Sequence, residues 1–262
     1  MSSESDIKIE IRDLTMAYGS FVLMRDINAK VRPGEVFVIM GGSGCGKSTL
    51  LRHMIGLKEP AQGDIFYDGV SFWKSDEEVR QEKLRSFGVL FQGGALWSAL
   101  TLAENIGLVL GEYTEFPPAE IRAIARLKLA LVGLKGFEDY YPAEISGGMC
   151  KRAGLARALA LDPDVLFFDE PSAGLDPISS RNLDELILQL RDSLGATFVV
   201  VTHELASIFT IADNSVFLDP DTRTMRAQGD PRELLKNSTD PAVRKFLTRG
   251  EASAQPACTQ PT

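Results

Sequence analysis

Val36-Phe37-Val38-Ile39-Met40 runs directly into Gly41-Gly42-Ser43-Gly44-Cys45-Gly46-Lys47-Ser48, and this stretch decides how the rest of the 262-residue chain is read. The unbroken apolar run after Gly34-Glu35 fits a strand buried on both faces. The glycine-dense loop matches GxxxxGK(S/T), and Ser48 to Gly56 has the pattern of a helix closed by its glycine. Strand, loop and helix in that order make a phosphate cradle. The glycines let backbone N–H groups converge on phosphate oxygens, and the helix N-terminus adds partial positive charge. Lys47 brings a point charge for β- and γ-phosphates, and the Ser48 hydroxyl is a Mg²⁺ ligand. Without that strand and helix, the loop would be a flexible glycine turn. Cys45 is read as fitting the loop without chemistry of its own.

Further along, Val165-Leu166-Phe167-Phe168 is another buried strand, ended by Asp169-Glu170 and stopped by Pro171. Thr197-Phe198-Val199-Val200-Val201-Thr202 is a third, followed at once by His203, with a helix expected between them over Ser179 to Leu194. Strands apolar on both faces and joined by helices predict a parallel α/β sheet covered on both sides. In such sheets ligands gather at strand carboxyl ends, which brings the acid pair beside the glycine loop. One carboxylate suits Mg²⁺, directly or through water. The next points the other way and suits orienting and deprotonating an attacking water.

The remaining pattern fills in around this sheet. Short strands are expected at Ile7 to Ile11, Asn28 to Val31, Ile65 to Tyr67 and Phe87 to Phe91, and helices at Glu77 to Arg85 and from Leu102 to about Leu134, divided at Pro117-Pro118. A further helix begins near Ser146 and continues to Leu161. Glu251 to Thr262 has no periodicity and reads as a loose tail. With 28 basic and 36 acidic side chains the formal charge is −8, which argues against a nucleic-acid surface. Cys45, Cys150 and Cys258, with His53 and His203, build neither a disulfide framework nor a zinc cluster, which suits a reducing cytoplasm. Met1 to Glu10 has no secretory h-region, and no run approaches the ~18 apolar residues of a membrane span. Any membrane work must go through other chains.

Ser146-Gly147-Gly148-Met149 introduces the basic helical stretch Lys151-Arg152. Alone it is an ordinary turn. Together with the glycine loop, the acid pair, Gly174-Leu175-Asp176 and His203, all in order, it makes the chain resemble the ABC-type ATPases from about Ile7 to Leu247. That resemblance implies a RecA-like P-loop core with an antiparallel β subdomain and a helical subdomain over about 93 to 158, within one cassette of residues 1–250. It also implies a head-to-tail homodimer sandwiching two ATP molecules, each between the Walker A loop of one subunit (Gly41 to Thr49) and the signature of the other (Ser146, Gly147, Gly148, Met149). Tyr18 then corresponds to the aromatic that stacks on adenine. Gln92 is the Q-loop residue touching Mg²⁺ and water, Asp169 assists Mg²⁺, and Glu170 is the general base. Asp176 belongs to a loop crossing the interface, and His203 meets the γ-phosphate. On their own, Tyr18 reads as a core aromatic and His203 as a structural histidine, and His53 is left as packing.

Gln92-Gly93-Gly94-Ala95-Leu96-Trp97, Ile145-Ser146-Gly147-Gly148-Met149-Cys150-Lys151-Arg152 and Asp240-Pro241-Ala242-Val243-Arg244-Lys245-Phe246-Leu247 are similar to the ATPases of Mla/MCE lipid-trafficking systems. This similarity implies transport of phospholipid or another hydrophobic molecule between the inner and outer membranes of Gram-negative bacteria. The partners implied are membrane permease subunits, an MCE-domain lipid-binding subunit and a small regulatory subunit, at the cytoplasmic face of the inner membrane. Met149 stands where the family has Gln, and Ile145 where it has Leu; neither change touches the catalytic set. Gly93 to Glu104 has two readings: a cleft for a permease helix, or buried core of the helical arm. The rival functions are an importer of a polar solute, a non-transport ABC protein, and a silent regulatory scaffold.

Overall fold

The computed structural model describes residues 7–250. Ile9–Tyr18 (β1) and Phe21–Val31 (β2) form a long antiparallel hairpin, where the alternation predicted only short pieces at Ile7 to Ile11 and Asn28 to Val31. Bulges explain the difference. Pairing slips between Ile11 and Leu14, Asp13 adopts φ +48°, and its N–H donates to Asn28 Oδ1 at 2.9 Å. Each slip turns the next side chains to the opposite face, so period two breaks while the strand continues. Val36–Gly41 (β3) leads through the glycine loop into Lys47–Met54 (α1). Gln62–Tyr67 (β4) and Val70–Ser71 (β5) return to the hairpin, giving a four-stranded sheet of order β2-β1-β4-β5.

Glu77–Arg85 (α2) precedes Phe87–Leu90 (β6). Leu102–Tyr113 (α3) opens on a capping box of Thr101 and Glu104, and Pro118–Leu131 (α4) starts on the second proline, whose missing N–H costs nothing there. Gly147–Ala158 (α5) follows, then Val165–Asp169 (β7), Pro177–Leu194 (α6) and Thr197–Val201 (β8). Beyond His203, where the sequence reading assigned no elements, lie Leu205–Ile211 (α7), Asn214–Asp219 (β9), Thr224–Gly229 (β10), Pro231–Asn237 (α8) and Pro241–Leu247 (α9). The helices there span fewer than three turns, too short for a 3.6-residue period to register. The tail from Glu251 lies outside the described residues. No helix among those described is long and apolar enough to cross a membrane.

The second sheet has the order β10-β9-β3-β8-β7-β6, parallel except for β10. Its strands split their apolar residues between two cores. Val36, Val38 and Met40 of β3, with Leu166 and Phe168 of β7, face the core that includes Ile106, Leu129 and Leu155. Phe37, Ile39, Val165 and Phe167 face the core shared with the β1–β2 hairpin and α1. That two-sided burial is why these strands read as unbroken apolar runs. The order β3-β8-β7-β6 also has a consequence for chemistry: the loops leaving these four strands, carrying Lys47, His203, Glu170 and Gln92, stand in one row.

Candidate functional site

That row encloses a cavity of about 500 Å³ lined by Leu23, Ser43, Gly44, Gly46, Lys47, Ser48, Thr49, Gln92, Glu170 and His203. Its floor depends on glycine at two points. Gly41 has φ +151°, and a Cβ there would lie 2.5 Å from Leu218 O and 2.8 Å from Cys45 Sγ. Gly46 caps α1 at φ +98°, a left-handed conformation unsuited to a β-carbon, with Leu23 and Met16 crowding it. Cys45 is buried beneath the loop, and burial pushes its thiol pKa up, so it is packing rather than a nucleophile. His53 is likewise packing: fully buried, with its pKa lowered by burial and Nδ1 against Lys58 O at 2.5 Å.

Lys47 is 7 % exposed and donates to Gly41 O at 3.1 Å and Gly42 O at 3.0 Å. An ammonium has three N–H bonds, so one stays available to a phosphate oxygen. The neighbouring Ser48 hydroxyl donates to Asp169 Oδ1 at 2.7 Å. This contact tests the fit of a metal ion: the two oxygens converge on one spot beside Lys47, and Gln92 adds an amide oxygen to the same cavity. An all-oxygen set with few protein ligands suits Mg²⁺, which keeps waters and phosphate oxygens in its shell. Accordingly, no cluster of three or more His, Cys, Asp and Glu occurs among the described residues.

Glu170 departs from ordinary strand geometry. Its φ is +49°, and its N–H donates to Val201 O at 2.9 Å. A left-handed backbone at a non-glycine residue costs about 1–2 kcal/mol, and such strain gathers where a side chain must be aimed. Here it turns the carboxylate back over the cavity. Oε1 sits 2.8 Å from His203 Nδ1, while Oε2 is buried without a hydrogen-bond partner. One oxygen is thus held and the other left unpaired. His203 is largely exposed, as a side chain meeting a ligand from the rim would be.

Three expected groups stand outside this cavity. Tyr18 is no core aromatic: it is 50 % exposed, its hydroxyl lies 3.3 Å from Thr49 Oγ1, and Lys58 Nζ sits 2.9 Å from the ring centroid. The Thr49 hydrogen bond, opposed by loss of hydration and helped by the charge of Lys58, holds the phenol below its ordinary pKa. Ser146 caps α5, its Oγ accepting from Met149 N at 3.3 Å, and Ser146 and Gly147 are exposed. A Cβ on Gly148 would lie 3.8 Å from Ser179 and 3.9 Å from Leu175, so this helix start packs on the loop that Asp176 ends. Asp176 itself caps α6, accepting from Ile178 N and Ser179 N at 3.0 Å. Met149 packs against the larger core, which accounts for an apolar side chain there. Of the two readings of Gly93 to Glu104, each holds for part: Leu96 packs on the core, while Trp97 is 62 % exposed. Lys151, which the sequence marks only as a basic residue just after the glycines, is buried, and burial lowers its pKa against the opposing charges of Asp169 and Glu170.

The family model described as ABC transporter matches residues 24–173, more than half of the chain. The chain belongs to the ABC transporter family. Among curated relatives, the probable ribonucleotide transport ATP-binding protein mkl of Mycobacterium tuberculosis is 43 % identical over 241 residues, covering 92 % of this chain. The chain spans about two thirds (66 %) of that relative's length. The intermembrane phospholipid transport system ATP-binding protein MlaF of Haemophilus influenzae is 39 % identical over 244 residues, covering 93 % of this chain and 91 % of the relative. Among solved structures, a dimeric post-hydrolysis state of the ATP-binding cassette MJ0796 with ADP and Pi superposes with TM-score 0.75 at 27 % identity, covering 85 % of this chain and 98 % of that one. The two sheets and interposed helices are thus the α/β architecture of an ABC cassette.

Proposed function

We propose that this chain is the ATP-hydrolysing subunit of a transporter that moves phospholipid, or another hydrophobic molecule, between the inner and outer membranes of a Gram-negative bacterium. The observation that carries the ATPase reading is the pair of contacts at one cavity that Ser48, Glu170 and His203 line, Ser48 to Asp169 and His203 to Glu170. Lys47 and the loop N–H groups bind the phosphates, and Tyr18 stacks on adenine through the ring face that Lys58 leaves open. Ser48, Gln92 and Asp169 hold Mg²⁺, which when bound offsets charge on the phosphate oxygens. Glu170 orients a water for in-line attack on the γ-phosphate and accepts its proton at Oε2, and His203 steadies Oε1 and meets the γ-phosphate. Hydrolysis needs two copies. Ser146, Gly147, Gly148 and Met149 of one subunit close over the ATP of the other, with Asp176 at the crossing, so loss of the γ-phosphate contact reopens the pair.

Residues 1–250 act as one cassette, with 93–158 as its helical arm facing the permease. A cleft of about 330 Å³ lined by Leu84, Arg85, Phe91, Val109, Tyr113 and Arg157 supports a permease helix docking there. Membrane permease subunits, an MCE-domain lipid-binding subunit and a small regulatory subunit complete the assembly, at the cytoplasmic face of the inner membrane. The similarity to MlaF over 93 % of this chain supports the lipid cargo. The similarity to mkl favours a second reading, a polar solute such as a ribonucleotide. Purifying the chain with its native partners tests all of this. The expected outcome is ATP turnover that Glu170→Gln abolishes while binding persists, with phospholipid recovered from the complex. Turnover surviving Glu170→Gln refutes the assignment of the base, and recovery of nucleotide cargo in place of lipid selects the second reading.

A further inference from the structure

Lys58 lies just past the end of α1, and each of its polar groups is held. Its N–H donates to Arg52 O at 3.2 Å, its carbonyl accepts from Nδ1 of the fully buried His53 at 2.5 Å, and its ammonium donates to Ala17 O at 2.8 Å. A carbonyl oxygen only accepts, so the imidazole carries its proton on Nδ1. The buried ring thus fixes where Lys58 stands as well as filling the core. The same ammonium sits 2.9 Å from the centroid of the Tyr18 ring and has no carboxylate partner among the described residues. Holding a four-carbon stem in one place costs side-chain entropy, so a lysine whose charge did nothing here would extend into water.

Strand order sets the side from which the lysine comes. β1 pairs with β2 along one edge and with β4 along the other. Lys58 arrives from the β4 side, where Ala61 N donates to Thr15 O at 2.9 Å, whereas Leu23 of β2 lines the cavity that holds Lys47 and Ser48. The Tyr18 hydroxyl lies 3.3 Å from Oγ1 of Thr49, which lines that cavity too. A cation over one face of an aromatic ring is attracted by the electron density there and draws it off the opposite face. We propose that Lys58 is a positioning residue for the nucleotide base: it backs the Tyr18 ring from the β4 side, holding it and drawing electron density from it, so that the electron-rich adenine stacks on the free face. Lys58 acts through Tyr18 and touches neither base nor phosphate. The inference rests on the reading above in which Tyr18 stacks on adenine, and it names the group that prepares the ring.

The test uses the full-length chain with Lys58→Met, Tyr18→Ala and the double variant, and Lys58→Gln in place of Lys58→Met should that one fail to fold. Binding is measured with a fluorescent ATP analogue labelled on the ribose and, separately, with inorganic tripolyphosphate, which has no base. In Lys58→Met, Kd for the analogue is expected to rise roughly two- to fivefold, the size of an exposed cation–π contact, while Kd for tripolyphosphate stays at the wild-type value. In the Tyr18→Ala background the same substitution is expected to weaken the analogue no further, because the two losses are then one interaction. A lysine acting by its charge on the phosphates would weaken tripolyphosphate and would keep its effect without the ring. Either result, or a wild-type Kd for the analogue in Lys58→Met, overturns the proposal. Failure of the stacking reading looks different, since Tyr18→Ala alone would then bind the analogue as wild type does.

Discussion

Replacing Asp184 by Asn is expected to stabilise this protein, by an amount that depends on pH. Asp184 lies on α6 at 4 % exposure and accepts a hydrogen bond from Ser207 Oγ on α7 at 2.8 Å. Burial pushes its carboxyl from 3.8 up to about 6; the Ser207 hydroxyl opposes this, and the Glu204 and Glu185 carboxylates add to it. The fold therefore prefers the protonated acid. That preference contributes fully below the ordinary value of 3.8 and is lost as the pH rises through about 6. At 1.36 kcal/mol per unit, a shift of this size corresponds to about 2–3 kcal/mol withdrawn once the acid ionises. Asn keeps the acceptor for Ser207 and cannot ionise. Urea unfolding of both proteins should give nearly equal stabilities near pH 4 and a gap of about 2–3 kcal/mol in favour of Asp184→Asn near pH 8. A gap independent of pH would show that the fold does not raise the Asp184 pKa, and a variant less stable than wild type near pH 8 that the carboxylate is favoured; either refutes the reasoning. The contact matters beyond stability, because α6 starts at the Asp176 cap and α7 follows directly on His203 and Glu204.

Other substitutions test the surroundings of the site. Gly154→Ala puts a Cβ 2.9 Å from both Gly94 O and Leu90 Cδ1 and should cost about 1–2 kcal/mol despite better helix propensity, with faster amide exchange over residues 93–97. Asn105, fully buried, accepts from Trp97 N and donates to Trp97, Leu100 and Thr101 carbonyls; Asn105→Ala should cost about 2–3 kcal/mol by denaturant melt and loosen the segment bearing Trp97. Tyr18→Ala should raise Kd for a fluorescent ATP analogue about fivefold, with Tyr18→Phe near wild type, since stacking needs the ring and not the hydroxyl.

The order of chemical groups could be read along the chain because each depends on local grammar: a strand, then a residue type its carboxyl end can present. Lys47, Asp169, Glu170 and His203 stand where that grammar puts them, as does the helix start near Ser146, whereas the cap that Asp176 makes on α6 was not read, the helix being expected only from Ser179. The hairpin β1–β2 was under-read because bulges at Asp13 and Asp26 break its alternation, a break governed by pairing with a neighbour. Tyr18 could not be told from a core aromatic until the turn at Gly19 left it at the surface. Trp97 and Leu96, adjacent and both apolar, went to opposite environments for the same reason.

The amino-acid sequence alone thus determined the α/β class, the phosphate loop and the identity of the chemical groups, since periodicity and residue type are properties of neighbouring positions. Which groups meet was decided only in three dimensions. Strand order β3-β8-β7-β6 aligns loops more than a hundred residues apart, and Lys151 on α5 is buried. Burial and distance arise from the closing of long loops around a shared core, and no local spacing along the chain encodes them.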